Sequence, residues 1–243
     1  MLRSLRKILG YRVHAVDAEF GQIEDVYFDD YLWTVRYFVV DTVGLFGQGP
    51  VLISPQSVGE PDWEEKIVPV SLSREQIENS PDIDADLPVS RQHEAELAAH
   101  YDWSPYWVPP GDDETDLMTP PVPEAEEVPK VSADPDLRSL REVVDYHVRA
   151  SDGEVGHVHD LIADTRNWVV RYLVVDTRRL LPGGKVLVSP GWTEAIDWDK
   201  AEVDLAATRD QIKQSPRFDP GTPINRKDEV RLYDYYGRSG YWR

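Results

Sequence analysis

The alternation of apolar and polar positions is clearest at residues 33–42, WTVRYFVVDT. In an extended chain Trp33, Val35, Tyr37 and Val39 fall on one side and Phe38 and Val40 on the other, so both faces are largely apolar. The pattern predicts a strand covered on both sides, at the centre of a core. It returns at residues 168–177 as WVVRYLVVDT, identical at eight of ten positions. An offset of 135 residues aligns Met1–Trp107 with Asp136–Trp242 without a gap. Roughly forty of about 105 positions are then identical, far beyond chance. The chain therefore reads as two copies of one domain, each with a core of its own, because two copies are too few for a solenoid.

The flanking pattern supplies further elements. Leu2, Leu5, Ile8 and Leu9 are spaced as a helical turn or lead-in segment, with Leu137, Leu140, Val143 and Val144 as counterparts. A hairpin is predicted at Asp17-Ala18-Glu19 and at Asp152-Gly153-Glu154, with Gly21 to Asp29 as the returning strand. The glycines between 43 and 50 precede Val51-Leu52-Ile53 and not a helix, which predicts a strand connection and no phosphate cradle. Short strands follow around Val58 and from Lys66 to Val70, and five or six strands in about 65 residues predict a small closed or nearly closed β-barrel in each copy. Ser73-Arg74-Glu75-Gln76 and Thr208-Arg209-Asp210-Gln211 are capping-box patterns for a brief helix. Ser90 and Asn225 cap a longer one, ending near His100 and Tyr235.

The tails beyond these helices are aromatic. Tyr101, Trp103, Tyr106 and Trp107 in the first copy, and Tyr233, Tyr236, Tyr241 and Trp242 in the second, either fold back on the barrel or form an interaction surface. Between the copies, residues 108–135 combine eight acids with repeated proline and read as an extended, acidic linker. The expected organisation is residues 1–107, a linker at 108–135, and residues 136–243.

Charge narrows the function. The chain carries −19 in total, distributed as about −11 over 1–107, about −7 over 108–135 and about −1 over 136–243. Such a balance argues against nucleic-acid partners, whose affinity rests on cationic charge, and against adhesion to anionic lipid. The absence of cysteine excludes thiolate and disulfide chemistry. No apolar run reaches the roughly 20 residues of a membrane span, so direct membrane insertion is not expected and a cytoplasmic location is.

Candidate chemistry is sparse. His157 and His159 stand two apart on a predicted strand and share a face, yet a third and a fourth metal ligand cannot be named. The expectation is no metal and no cofactor. Arg36 and Arg171 lie within the central strands, and Asp25, Asp29 and Asp41 recur as Asp160, Asp164 and Asp176. An ion pair with turn-forming aspartates is the simpler reading, against a carboxylate dyad. There is no G-x-S-x-G elbow, P-loop, G-x-G-x-x-G or H-E-x-x-H, so the chain is not expected to be an enzyme.

The runs Gly21 to Val26, Trp33 to Thr42 and Val51 to Pro55, matched by Gly156 to Leu161, Trp168 to Thr177 and Val186 to Pro190, resemble the PRC-barrel domain. That family is named for the cytoplasmic domain of the photosynthetic reaction-centre H subunit, and its fold also forms the C-terminal domain of RimM. The resemblance covers about residues 2–80 and 137–215. Ser215-Pro216, Asp219, Pro223, Arg226 and Tyr241-Trp242 are similar to the tail of a bacterial subgroup. It implies a mainly β fold: two tandem PRC-type barrels, each followed by a short helix and a longer C-terminal helix. It also implies a non-enzymatic protein-binding or scaffolding role toward a protein partner, with self-association as one form of it. The alternatives are an accessory subunit of a membrane-associated photosynthetic or electron-transfer complex, and a metal-dependent or acid-base enzyme.

Overall fold

Residues 1–42, 49–81, 89–107, 137–178 and 184–242 are described by a computed structural model. The linker 108–135 and most of the glycine-bearing connections lie outside them. The first half contains β1 (Leu2–Ser4), α1 (Leu5–Ile8), β2 (Arg12–His14), β3 (Glu19–Asp29), β4 (Thr34–Asp41), β5 (Val51–Ile53), β6 (Ile67–Pro69), α2 (Arg74–Glu78) and α3 (Arg91–Tyr101). The second half repeats the order with β7 (Leu137–Ser139), α4 (Leu140–Val143), β8 (His147–Ala150), β9 (Gly153–Asp164), β10 (Val169–Asp176) and β11 (Lys185–Val188). It continues with β12 (Thr193–Asp197), β13 (Glu202–Leu205), α5 (Arg209–Gln214), β14 (Arg217–Phe218) and α6 (Arg226–Tyr236). Both short helices carry the expected capping box, and Ser90 and Asn225 cap the longer ones.

The strands do not separate into two closed barrels. They join in one sheet whose order, β12-β13-β8-β9-β10-β4-β3-β2-β6, runs through both halves without closing. The halves join in that order where β10 meets β4 at Val169↔Thr34, and the N-terminal arms add pairings alongside. β1 pairs with β9 of the other half, from Leu2↔Asp164 to Ser4↔Ile162, and β7 pairs reciprocally with β3, from Tyr27↔Ser139 to Asp29↔Leu137. A chain segment can hydrogen-bond to its own copy or to its twin, and here both arms cross over.

The central strands meet end to end beside the arms. Trp33 and Trp168 both adopt positive φ, 54° and 55°, a conformation that costs a side-chain-bearing residue about 1–2 kcal/mol. The turn aims each carbonyl at the other copy: Val170 N donates to Trp33 O (2.6 Å) and Val35 N to Trp168 O (2.9 Å). Behind this junction one hydrophobic cluster runs through both halves, so the cores expected to be separate are continuous. A smaller cluster of Ile162, Tyr172, Val174, Leu187, Leu232 and Tyr233 lies under α6. Among the described residues no helix is long and apolar enough to cross a membrane.

Gly21 and Gly156 take φ of +117° and +157°, and a Cβ at either would collide with the carbonyl of Asp41 or Asp176. Each glycine lies at the register shift in the pairing of β3 with β2 or of β9 with β8.

Interlocking of this kind predicts how the halves behave when cut. Proteolysis within 108–135 of the folded chain should leave two fragments that still elute together at the intact mass and part only on unfolding. Separation on a sizing column under native conditions would show that the arms contribute little to association.

Candidate functional site

The arms are built from the sequence Leu-Arg-Ser-Leu-Arg, present in both copies. Ser4 and Ser139 end a strand and cap the single turn that follows, accepting from Lys7 N (3.0 Å) and Glu142 N (3.1 Å). The same hydroxyls donate to an aspartate of the opposite half, Ser4 to Asp160 Oδ2 and Ser139 to Asp25 Oδ2, both at 2.5 Å. Each carboxylate also accepts a backbone N–H from the visiting arm, Arg6 N on Asp160 (3.0 Å) and Arg141 N on Asp25 (3.2 Å). Burial raises the pKa of both aspartates, and the serine and backbone donors pull in the opposite direction. Leu5, Ile8, Leu140 and Val143 seal the junction at 2% exposure or less. On its rim the halves differ: Arg141 pairs with Glu24 (2.6 Å) and Arg138 with Asp30 (2.9 Å), whereas Arg6 reaches His159 (3.2 Å). A groove of about 230 Å³ opens alongside, between Arg3, Lys7 and Trp63 of the first half and Phe218 and Ile224 of the second.

His157 and His159 project from one face of β9, and the tertiary structure adds the third ligand that sequence spacing could not name. Asp176, opposite His157 across the β9–β10 ladder, brings a carboxylate oxygen within 4.8 Å of both imidazoles. Two imidazoles and a carboxylate are a transition-metal donor set. Cations of the protein itself surround it. Lys185 Nζ stands 2.5 Å from His159 Nε2, Arg6 meets Nδ1 of the same ring, and Arg178 grips both oxygens of Asp176. Arg178 holds the Asp176 pKa down to about 2. Burial, followed by Lys185 and Arg6, lowers that of His159, and burial lowers that of Lys185. The lysine ammonium thus stands against one of the three donors. The first half has Gln22, Glu24, Asp41 and Pro50 at the corresponding positions.

Of the eight tail aromatics, Tyr101, Trp103 and Tyr233 are buried, and Tyr106, Trp107, Tyr236, Tyr241 and Trp242 are half-buried. Tyr101 stacks on Trp103 with centroids 4.3 Å apart, and Trp103 Nε1 donates to Ser57 Oγ (2.7 Å). Tyr233 meets Trp192 and Trp242, each at 4.9 Å, and Tyr236 meets Trp192 at 4.8 Å. The tails therefore fold back, with three of the eight rings buried and five keeping part of their surface exposed.

Their anchor is a pair of glutamates that the sequence reading passed over. Glu229 Oε1 accepts from Tyr172 OH (2.8 Å) of the central strand and from Tyr241 OH (2.7 Å) of the tail. Its Oε2 pairs with Arg226 (3.0 Å), and Arg171 covers the Tyr241 ring at 4.2 Å. Glu94, Tyr106, Arg91 and Arg36 repeat the arrangement: Tyr106 OH donates to Glu94 (2.8 Å) and Arg36 lies 3.8 Å over the Tyr106 ring. Burial and then the glutamate raise Tyr172 and Tyr37 well above the ordinary phenol range, and Tyr241 to about 12. The signal was in the alignment of the copies, because Arg-x-x-Glu and the facing tyrosines are identical in both. Arg36 also pairs with Asp29 (2.8 Å), and Asp164, equivalent to Asp29, is held by Arg166 (2.6 Å).

No protein-family model matches the chain, and no curated protein matches it.

Two measurements follow from the carboxylates and the lysine. Folded pKa values raised above the unfolded ones make Asp25 and Asp160 bind protons more readily in the native chain. Their contribution to stability therefore grows as pH falls through those values. Asp164 and Asp176 are depressed, so their contribution is present above about pH 4 and is lost as pH falls further. Urea titrations should accordingly show stability rising as pH falls from neutrality toward the raised values and then collapsing below about pH 4, with the rise reduced in Asp25→Asn/Asp160→Asn. Equilibrium dialysis should find Lys185→Met binding zinc about tenfold or more tighter than wild type, and His157→Ala should abolish the gain. Equal affinity in wild type and Lys185→Met would mean that the lysine does not guard the site.

Proposed function

We propose that the chain is a non-enzymatic protein-binding or scaffolding module in the cytoplasm, two PRC-like halves locked together through their arms. The observation that carries this reading is the turn between β3 and β4. Tyr31 and Leu32 stand 84% and 57% exposed there, whereas most other aromatic and leucine side chains among the described residues are buried or half-buried. An exposed tyrosine beside an exposed leucine is the kind of anchor on which protein interfaces concentrate their energy. The second half has Arg166 and Asn167 at those positions, so the interlocked pair offers this apolar contact on an acidic half with a near-neutral half beside it. A partner binding one half would be presented in a fixed orientation to whatever binds the other.

A second reading, an accessory subunit beside a membrane-associated photosynthetic or electron-transfer complex, draws on the likeness of Gly21 to Val26 and Trp33 to Thr42 to the reaction-centre H subunit.

Capture experiments with the immobilised full chain in lysate of its native cell test both. Wild type should retain protein, and Tyr31→Ser/Leu32→Ser should lose at least about tenfold of it while its Tm moves by less than about 2 °C. Retention of RNA in place of protein, or capture indifferent to the double substitution, would overturn the binding-module reading. Recovery of membrane electron-transfer subunits would select the second.

A further inference from the structure

Each half carries both sides of the junction, an arm and a seat for an arm. Ser4 with Leu5 and Ile8 is the arm of the first half and Asp25 is its seat; Ser139 with Leu140 and Val143 is the arm of the second and Asp160 is its seat. We propose that these surfaces also close between two molecules, giving a chain-exchanged dimer in which the first half of one copy is paired with the second half of the other. The partner is a second copy of this chain, and the junction is the one already described: β1 on β9, β7 on β3, and Val35 and Val170 on the carbonyls of Trp168 and Trp33.

The physical case is an equality of contacts. The closed monomer and the exchanged dimer contain the same hydrogen bonds, the same buried leucines and the same ion pairs. They differ in whether the halves that meet are joined by residues 108–136 or belong to different chains. The balance is then set by the concentration of chains against the effective concentration that a covalent connection of that length imposes, of the order of millimolar. Pairing of unlike halves is favoured over pairing of like ones. First with first would set about −11 against −11, and second with second would replace the Arg138–Asp30 ion pair by Arg138 beside Thr165. Once formed, either state persists, because exchange requires Leu5, Ile8, Leu140 and Val143 to leave sites in which they are fully or almost fully buried. The inference rests on the junction alone and stands whether or not the chain binds the partner proposed above.

The test uses two full-length versions with different affinity tags and a protease recognition sequence placed within 108–135. Mixed, unfolded and refolded at low micromolar concentration, they should give particles of one 27.8 kDa chain carrying one tag each. Refolded near millimolar concentration, they should give a species of twice that mass that captures both tags and survives dilution. Cutting the connection should convert that species to particles of single-chain mass, because only the two connections tie its pairs of halves together. Single-chain particles at every concentration would overturn the proposal. So would a double-mass species that keeps its mass after the cut, since that would be two closed monomers lying side by side.

Discussion

The seating of each arm on an aspartate of the opposite half is the constraint from which the rest of the architecture follows. An unpaired carboxylate at the positions of Asp25 and Asp160, 7% and 8% exposed, would be destabilising. Each is instead met by a serine hydroxyl and a backbone N–H from the visiting arm, in addition to the N–H of the residue that follows it. Leu5 and Leu140 then bury their side chains over the contact, worth about 1.5–3 kcal/mol each relative to exposure. Polar satisfaction specifies the register, and apolar burial supplies much of the driving force.

Because the arms cross, the sheet is shared and the two cores are continuous. The long strands β3 and β9 pair within their own half and with the arm of the twin, and at Gly21 and Gly156 no side chain fits against the neighbouring carbonyl. The helical tails are held from the other side by Glu94 and Glu229, each a single carboxylate that binds a tyrosine of the tail while an arginine lies over that tyrosine's ring. A scaffold anchored this way at both ends of each half leaves its differences to the surface. Glu24 stands where His159 stands, Pro50 where Lys185 stands, and Tyr31 where Arg166 stands. One frame thus carries an acidic half with an exposed tyrosine and a nearly neutral half with a histidine pair and Lys185 beside one of its rings.

Much of the local structure was determined by the sequence alone. Alternation named the strands at 34–41 and 169–176, Ser73 with Gln76 and Thr208 with Gln211 named the short helices, and the 135-residue offset named the repeat, because these signals come from neighbours along the chain. Strand pairing is a different kind of fact. The arm residues Leu2 to Ile8 carry the same pattern whether they dock on their own copy or on the twin, and only the tertiary structure decided for the twin. It likewise decided that Asp176 joins His157 and His159 and that Lys185 stands among them, since those residues approach through a ladder and not through spacing. The tail aromatics fitted surface and core equally well as sequence, and only the tertiary structure showed that buried glutamates tie Tyr106 and Tyr241 back to the helices. Short-range patterning fixes which elements form; which copy satisfies a buried carboxylate depends on groups more than a hundred residues away.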